Sequence, residues 1–298
     1  MKTTAITPFP HRTTHDLWCA DARTLPFIES NSVHLVCTSP PYANLIQYAD
    51  QAGQLGNMAS YEAFLVELDK VWAECLRILQ PGGRVACVVG DVCLSRRKAG
   101  RHHMLPLSSD IMIRARKLGF DVLNPIRWLK VANIRLEASK SARYLGKPNL
   151  PNGVVKNDIE TIVFLRKPGG YRKPSSYQER ASFIPTEDYM KMFSSVWTDI
   201  RGQLRSSHPA PFPLDIPRRL IRMFSFVGDT VVDPFCGTGT TSIAAMELGR
   251  NSIAVEVVPE YARDAVERLR KYAGTLHTIS IHGLEDSEIP HLAKRAIH

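Results

Sequence analysis

An apolar run, Val33-His34-Leu35-Val36-Cys37, leads straight into Thr38-Ser39-Pro40-Pro41-Tyr42. A β-rich run that stops at a Pro-Pro corner predicts a buried strand whose last side chains sit over the carboxyl edge of a sheet, where open α/β folds bind ligands. Ser39 brings a hydroxyl, the prolines bring carbonyls without competing N–H groups, and Tyr42 brings a flat ring. Such a set offers hydrogen-bond acceptors and a flat ring surface at one edge. The pentapeptide reads equally well as a turn with a packed aromatic, so other parts of the chain must decide.

A second constellation lies near the far end. Thr230-Val231-Val232 reads as a buried strand and runs into Asp233-Pro234-Phe235-Cys236-Gly237-Thr238-Gly239-Thr240-Thr241, a glycine-rich turn that opens a helix. The next strand, Ser252 to Val255, ends on Glu256. Glycines let a backbone approach a ligand, and an acid after the second strand accepts hydrogen bonds from ribose hydroxyls. No Gly-Lys-Ser/Thr follows, which excludes a P-loop, and Ser242 stands where a dinucleotide fingerprint has its third glycine. An adenosine-bearing cofactor without phosphates fits this turn better than one with a pyrophosphate.

The remaining pattern supplies the elements that must position these groups. Asp16 to Asp21 predicts a short strand ending on an acid, and residues 43–59 a loop. From Ser60, apolar residues Phe64, Leu65, Leu68, Val71, Trp72, Cys75, Leu76 and Leu79 recur at helical spacing until Pro81-Gly82-Gly83, and a buried strand follows over Arg84 to Gly90. That β-α-β unit favours a parallel sheet. A helix over Ser109 to Leu118 stopped by Gly119, strands near 120–129 and 159–165, a helix over 212–224, and a last amphipathic helix over Pro259 to Tyr272 complete the reading. The tail after Gly274 shows no pattern.

The 298 residues carry a formal charge of +9, which points to an extended polyanion as partner. Arg96, Arg97, Lys98 and Arg101 sit in a loop after the strand that ends near Gly90, on the edge shared with Ser39. Residues 132–206 hold thirteen basic against seven acidic side chains, with Tyr144, Tyr171, Tyr177, Tyr189 and Trp197 interleaved. Basic side chains neutralise phosphates, and rings stack on unpaired bases. The segment therefore reads as a basic insertion that contacts nucleic acid, with Arg135, Lys140, Arg143, Lys147, Arg172 and Lys173 as phosphate ligands. The catalytic and cofactor domain then occupies 1–131 and 207–298, with 132–206 as the target-recognition insertion and its strand near 159–165 a candidate member of the main sheet.

No signal-peptide pattern or membrane-spanning run is present, and the six separated cysteines read as buried residues of a reduced, cytoplasmic protein. His102-His103 lacks a third ligand at useful spacing, so no metal is expected.

Taken together, Thr38-Ser39-Pro40-Pro41-Tyr42 and Asp233 to Thr241 resemble the S-adenosylmethionine-dependent amino-methyltransferases of DNA. The catalytic motif precedes the cofactor motif, an order similar to the permuted β group. His208-Pro209-Ala210-Pro211-Phe212-Pro213 resembles the family's segment over the methionine end of the cofactor, and Cys19-Ala20-Asp21 its adenine-side segment. The resemblance implies a Rossmann-like α/β fold, S-adenosyl-L-methionine as cofactor, double-stranded DNA as substrate, and a restriction-modification setting in which a cognate endonuclease is a candidate partner. It also implies Ser39, Pro40, Pro41 and Tyr42 as catalytic residues. Cofactor contacts are then expected from Asp21, Thr38, His208, Pro209, Phe212, Asp233, Phe235, Cys236, Gly237, Thr238, Gly239, Thr240, Thr241 and Glu256.

Within that family a Ser at the first motif position usually accompanies cytosine N4, and Asp or Asn adenine N6. Cytosine N4 is therefore the expected target, with adenine N6 the alternative; methylation of RNA or of a protein glutamine, or DNA binding without catalysis, stand further off. Methylation at cytosine carbon 5 needs a Pro-Cys nucleophile, and no Pro-Cys pair occurs in the chain.

Overall fold

The computed structural model describes residues 12–42, 51, 53–58, 60–94, 96–130, 151, 155, 157–202, 213–274 and 276–285, without the side chain of Lys98. Among the described residues nine strands form one sheet: β1 (Thr13–Cys19), β2 (Val33–Thr38), β3 (Leu79–Val89), β6 (Asp121–Leu129), β7 (Ile159–Arg166), β8 (Val196–Trp197), β9 (Thr230–Asp233), β10 (Asn251–Glu256) and β11 (His277–His282). Their spatial order is β11-β1-β10-β9-β2-β3-β7-β6-β8. Every pairing is parallel except the two that β7 makes, with β3 and with β6. The largely parallel α/β sheet expected from the sequence is present.

Helices α1 (Tyr61–Ile78), α2 (Arg96–Ala99), α3 (Leu107–Leu118), α4 (Ser176–Ala181), α5 (Thr186–Met192), α6 (Asp215–Phe224), α7 (Thr240–Glu247) and α8 (Pro259–Ala273) accompany the strands. Both faces of the central strands are buried, which is why they read as continuous apolar runs. Val36 faces α1 and α3, while Leu35 and Cys37 face the opposite layer, with Ile216, Leu220 and Ile221 of α6. Helix α1 forms where the periodicity placed it: the Ser60 hydroxyl caps the Ala63 N–H at 3.3 Å, and Phe64, Leu65, Leu68, Val71, Trp72, Cys75 and Ile78 form its buried face. Gly119 ends α3 in the left-handed region at φ 107°, as its C-cap position requires.

β9 and β10 come late in the chain, yet they lie inside the sheet, with β9 beside β2 and β10 beside β9. The strand order therefore reverses between β2 and β9, and a crevice opens at their carboxyl ends. Thr38 ends one strand and Asp233 the other.

Four expectations change. Pro81-Gly82-Gly83 does not stop α1, which ends at Ile78, but lies within β3, at a register shift where the β2 pairing skips from Val33–Leu79 to Leu35–Arg84. The patternless tail supplies β11, an edge strand paired with β1 from Thr13 to Trp18. The loop after β3 contains a short hairpin, β4 (Val92–Leu94) with β5 (His103–Leu105), and the single turn α2 at its tip. Finally, within 132–206 the strand near 159–165 is β7 of the main sheet and β8 joins it there, while Trp197, expected among the base-stacking rings, is a core residue at 1% exposure whose indole N–H bonds the Met192 carbonyl at 3.0 Å.

Candidate active site

Asp233 joins the two motifs. It ends β9 fully enclosed, and its carboxylate accepts the Thr38 hydroxyl at 2.6 Å, the Thr241 hydroxyl at 2.7 Å and the Phe235 N–H at 3.1 Å. Burial pushes its pKa up to about 6, against the pull of those three donors. One side chain thus fixes the residue before Ser39, the start of the glycine-rich turn and the first turn of α7.

Glu256 closes the other side of the turn. Its two oxygens accept the Gly237 and Val258 N–H groups, each at 2.9 Å, and burial raises its pKa to about 7. At Gly239, φ is 78°, which strains any residue with a side chain, and an added Cβ would lie 3.3 Å from the Ala265 Cβ, so the turn packs closely onto α8.

These groups surround a cleft of about 620 Å³ at the carboxyl edge. Ser39, Pro40, Pro41 and Tyr42 line one part, and Asp21, Phe235, Gly237 and Glu256 another. The cleft thus brings together the pentapeptide, the acid after β1, the glycine-rich turn and the acid that ends β10. Thr38, Asp233, Cys236, Thr238, Gly239, Thr240 and Thr241 stand behind this lining. Of these, Thr238 and Thr240 are tied to Arg268, which donates to the Thr238 carbonyl at 2.6 Å. Cys37 and Cys236 are buried, and desolvation raises both thiols well above their ordinary pKa, which disfavours a thiolate nucleophile.

Asp21 is held by Arg23, whose Nε lies 3.0 Å from both carboxylate oxygens and whose other arm reaches Glu67. Tyr42 is placed by a network the sequence did not reveal: its hydroxyl donates to Glu160 at 3.4 Å, and Glu160 is ion-paired with Lys130. Gly53, Gln54, Val257 and Tyr261 also line the cleft and were not singled out. Only Val257 carried a signal, as the neighbour of Glu256.

The basic residues divide. Arg96, Arg97 and Arg101 are exposed around the hairpin tip that follows β3, on the cleft's edge of the sheet. Arg172 and Lys173 follow the end of antiparallel β7 and emerge on the opposite edge, where Arg172 is paired with the buried Asp229. Neither belongs to the cleft face. Arg135, Lys140, Arg143, Lys147, His208, Pro209 and Phe212 lie outside the described residues, as does the side chain of Lys98.

The cleft suits S-adenosyl-L-methionine. Its described lining holds two carboxylates and no lysine or arginine, which favours a cation without phosphates, and Phe235 and Val257 offer apolar surface for a flat base. Comparison with known proteins agrees. The family model described as DNA methylase, of the N6 and N4 methyltransferases, matches residues 33–267. The type II methyltransferase M.MjaI of Methanocaldococcus jannaschii is 39% identical over 82% of this chain and 88% of its own. M.MthZI of Methanothermobacter thermautotrophicus is 32% identical over 86% and 76%. The Thermus thermophilus protein TTHA0409, solved with S-adenosyl-L-methionine, superposes with a TM-score of 0.74 at 46% identity, covering 91% of this chain and all of that one. The chain belongs to the N6/N4 DNA amino-methyltransferase family, with S-adenosyl-L-methionine as methyl donor and DNA as substrate.

Proposed function

We propose that the chain methylates the exocyclic N4 amine of a cytosine flipped out of double-stranded DNA. The observation that carries this reading is that Ser39, a hydroxyl acceptor ahead of two prolines, opens on the same cleft as Phe235 and Glu256. An amine conjugated to a ring is a poor nucleophile. When the Ser39 hydroxyl and the Pro40 carbonyl accept its two N–H bonds, the nitrogen pyramidalises and its lone pair turns toward the methyl group that S-adenosyl-L-methionine supplies. Position and electrostatics do the work, and no covalent enzyme intermediate forms. Tyr42, held through Glu160 and Lys130, stacks on the extruded base and offsets part of the few kcal/mol that extrusion costs.

Adenine N6 is the second reading, because Asp or Asn at this position would do the same accepting. Nucleoside analysis of DNA treated with methyl-labelled cofactor tests the choice: label is expected in N4-methylcytosine, and label in N6-methyladenine overturns it. The relatives named type II methyltransferases support a restriction-modification setting in the cytoplasm with a cognate endonuclease as partner.

Two further results are expected. Glu256, with its pKa near 7, offers ribose hydroxyls a carboxylate above that pH and a protonated acid below it. Cofactor affinity, measured by calorimetry, is expected to be roughly three- to tenfold weaker at pH 6 than at pH 8, and the Glu256→Gln variant to show no such change. At the hairpin tip, replacing Arg96, Arg97 and Arg101 by Gln is expected to lower the slope of log affinity for DNA against log salt by about 2 to 3. An unaltered slope would make these residues an ordinary solvated surface.

A further inference from the structure

A second cleft, of about 1000 Å³, opens on the other edge of the sheet, where the parallel strands begin. The six residues of β2 separate it from Ser39, about 20 Å at the usual rise per residue. Arg84 is its unusual member. Its Nε is the one buried side-chain nitrogen or oxygen among the described residues with no hydrogen-bond partner. The guanidinium lies 5.5 Å from the ring centre of Tyr171 and 5.1 Å from that of Phe224, and no acid among the described residues pairs with it. The neighbouring arginines are neutralised: Arg172 by Asp229, Arg222 by Asp188 at 3.0 Å and Arg166 by Asp121 at 2.7 Å. The Arg84 guanidinium meets the Tyr171 hydroxyl but no acid among the described residues, so its charge stays half-buried without a counter-charge, which is costly.

The same cleft gathers exposed rings. Tyr171, Tyr189 and Phe193 line it at 66%, 49% and 40% exposure. Tyr189 stacks on Phe193 at 4.3 Å, and Phe193 meets Phe224 edge-on at 6.0 Å, so the aromatic wall runs from solvent to the ring under Arg84. Exposed aromatics gathered in a concavity mark a place for another flat, apolar body. A half-buried guanidinium without a counter-charge next to such a wall asks for an oxyanion attached to a planar ring.

We propose that this cleft binds a nucleoside phosphate, with the phosphate on the Arg84 guanidinium and the base against Tyr171 and the Tyr189–Phe193 pair. It is a site apart from methyl transfer, on the edge to which β7 delivers the rings and basic residues of 166–193. Free mononucleotides and the end of a nucleic-acid strand share this chemistry.

Calorimetry on the full chain, saturated with S-adenosyl-L-methionine, tests the proposal with three probes: cytidine 5′-monophosphate, a 5′-phosphorylated single-stranded tetranucleotide and inorganic phosphate. One saturable site for the mononucleotide or the tetranucleotide is expected, and the tighter of the two identifies the source. Arg84→Met, which keeps much of the length of the side chain, is expected to weaken binding at least tenfold while affinity for S-adenosyl-L-methionine is unchanged. Tyr171→Ala removes an exposed ring and decides the matter should Arg84→Met fail to fold; it is expected to weaken binding at least threefold with an unchanged melting temperature. Absence of saturable binding, binding unaffected by the variants, or inorganic phosphate binding as tightly as the nucleotide would overturn the proposal.

Discussion

Ser39→Ala is expected to lower the rate of methyl transfer at least tenfold, about 1.4 kcal/mol or more of transition-state stabilisation, while leaving affinity for S-adenosyl-L-methionine nearly unchanged. The split follows from where the residue stands. Ser39 lines the cleft just beyond the buried anchor Thr38, and the cradle made by Phe235, Gly237 and Glu256 is built from other strands. Exchanging the hydroxyl for hydrogen removes an acceptor that matters when the amine pyramidalises, and disturbs no packing around Glu256. Single-turnover kinetics with saturating DNA and cofactor separates this from a binding defect, which would raise KM and leave the single-turnover rate intact. A single-turnover rate equal to that of the unsubstituted protein would remove Ser39 from the chemistry. In the double variant Ser39→Ala with Glu256→Gln, losses in rate and in cofactor affinity are expected to add, because the two residues touch different parts of the reaction complex.

Much of this site was legible because its two motifs are punctuated by residues with strong backbone preferences. Pro40-Pro41 after the Val33–Cys37 run, and Gly237 and Gly239 after Thr230–Val232, mark abrupt strand ends from local sequence alone. What local sequence does not carry is strand direction. β7 runs antiparallel to its neighbours, so its first residues, Glu160 among them, reach the cleft edge, and the residues after Arg166 emerge on the opposite one. Composition showed that 132–206 is basic and aromatic, but not that Trp197 would be buried or that Tyr171 and Arg172 would stand away from Ser39. The contact between Tyr42 and Glu160 spans 118 residues and that between Thr38 and Asp233 spans 195, distances at which a single sequence gives no pairing signal. β11 is only six residues long, and the alternation of Ile279 and Ile281 with Thr278 and Ser280 is too short to stand out as a pattern in the sequence.

The link through Asp233 leads to the other large effect, one on stability. Asp233→Ala is expected to destabilise the fold by about 2 to 4 kcal/mol, because the Thr38 and Thr241 hydroxyls and the Phe235 N–H lose a buried acceptor together. The relief of removing a buried charge keeps the loss below the sum of three orphaned donors. Asp233→Asn should behave differently. The wild-type carboxyl binds its proton more tightly folded, near pH 6, than unfolded, near 3.8. Its contribution to stability is therefore fully present below about pH 4 and is lost as pH rises through 6, a change of about 3 kcal/mol. An amide has no proton to lose, and each threonine hydroxyl can rotate to accept as well as donate. Urea melts at pH 5 and pH 8 are thus expected to show Asp233→Asn keeping its stability across the range, with this part of the wild-type pH dependence missing, while Asp233→Ala is weak at both. Should the Ala variant match the wild type within about 0.5 kcal/mol, Asp233 would not be the clamp between the motifs. Should it fall as expected, cofactor binding and turnover would decline together, because Thr38 beneath Ser39 and the Phe235–Thr241 turn lose the same anchor. That joint loss distinguishes Asp233 from Ser39, whose replacement is expected to separate rate from binding.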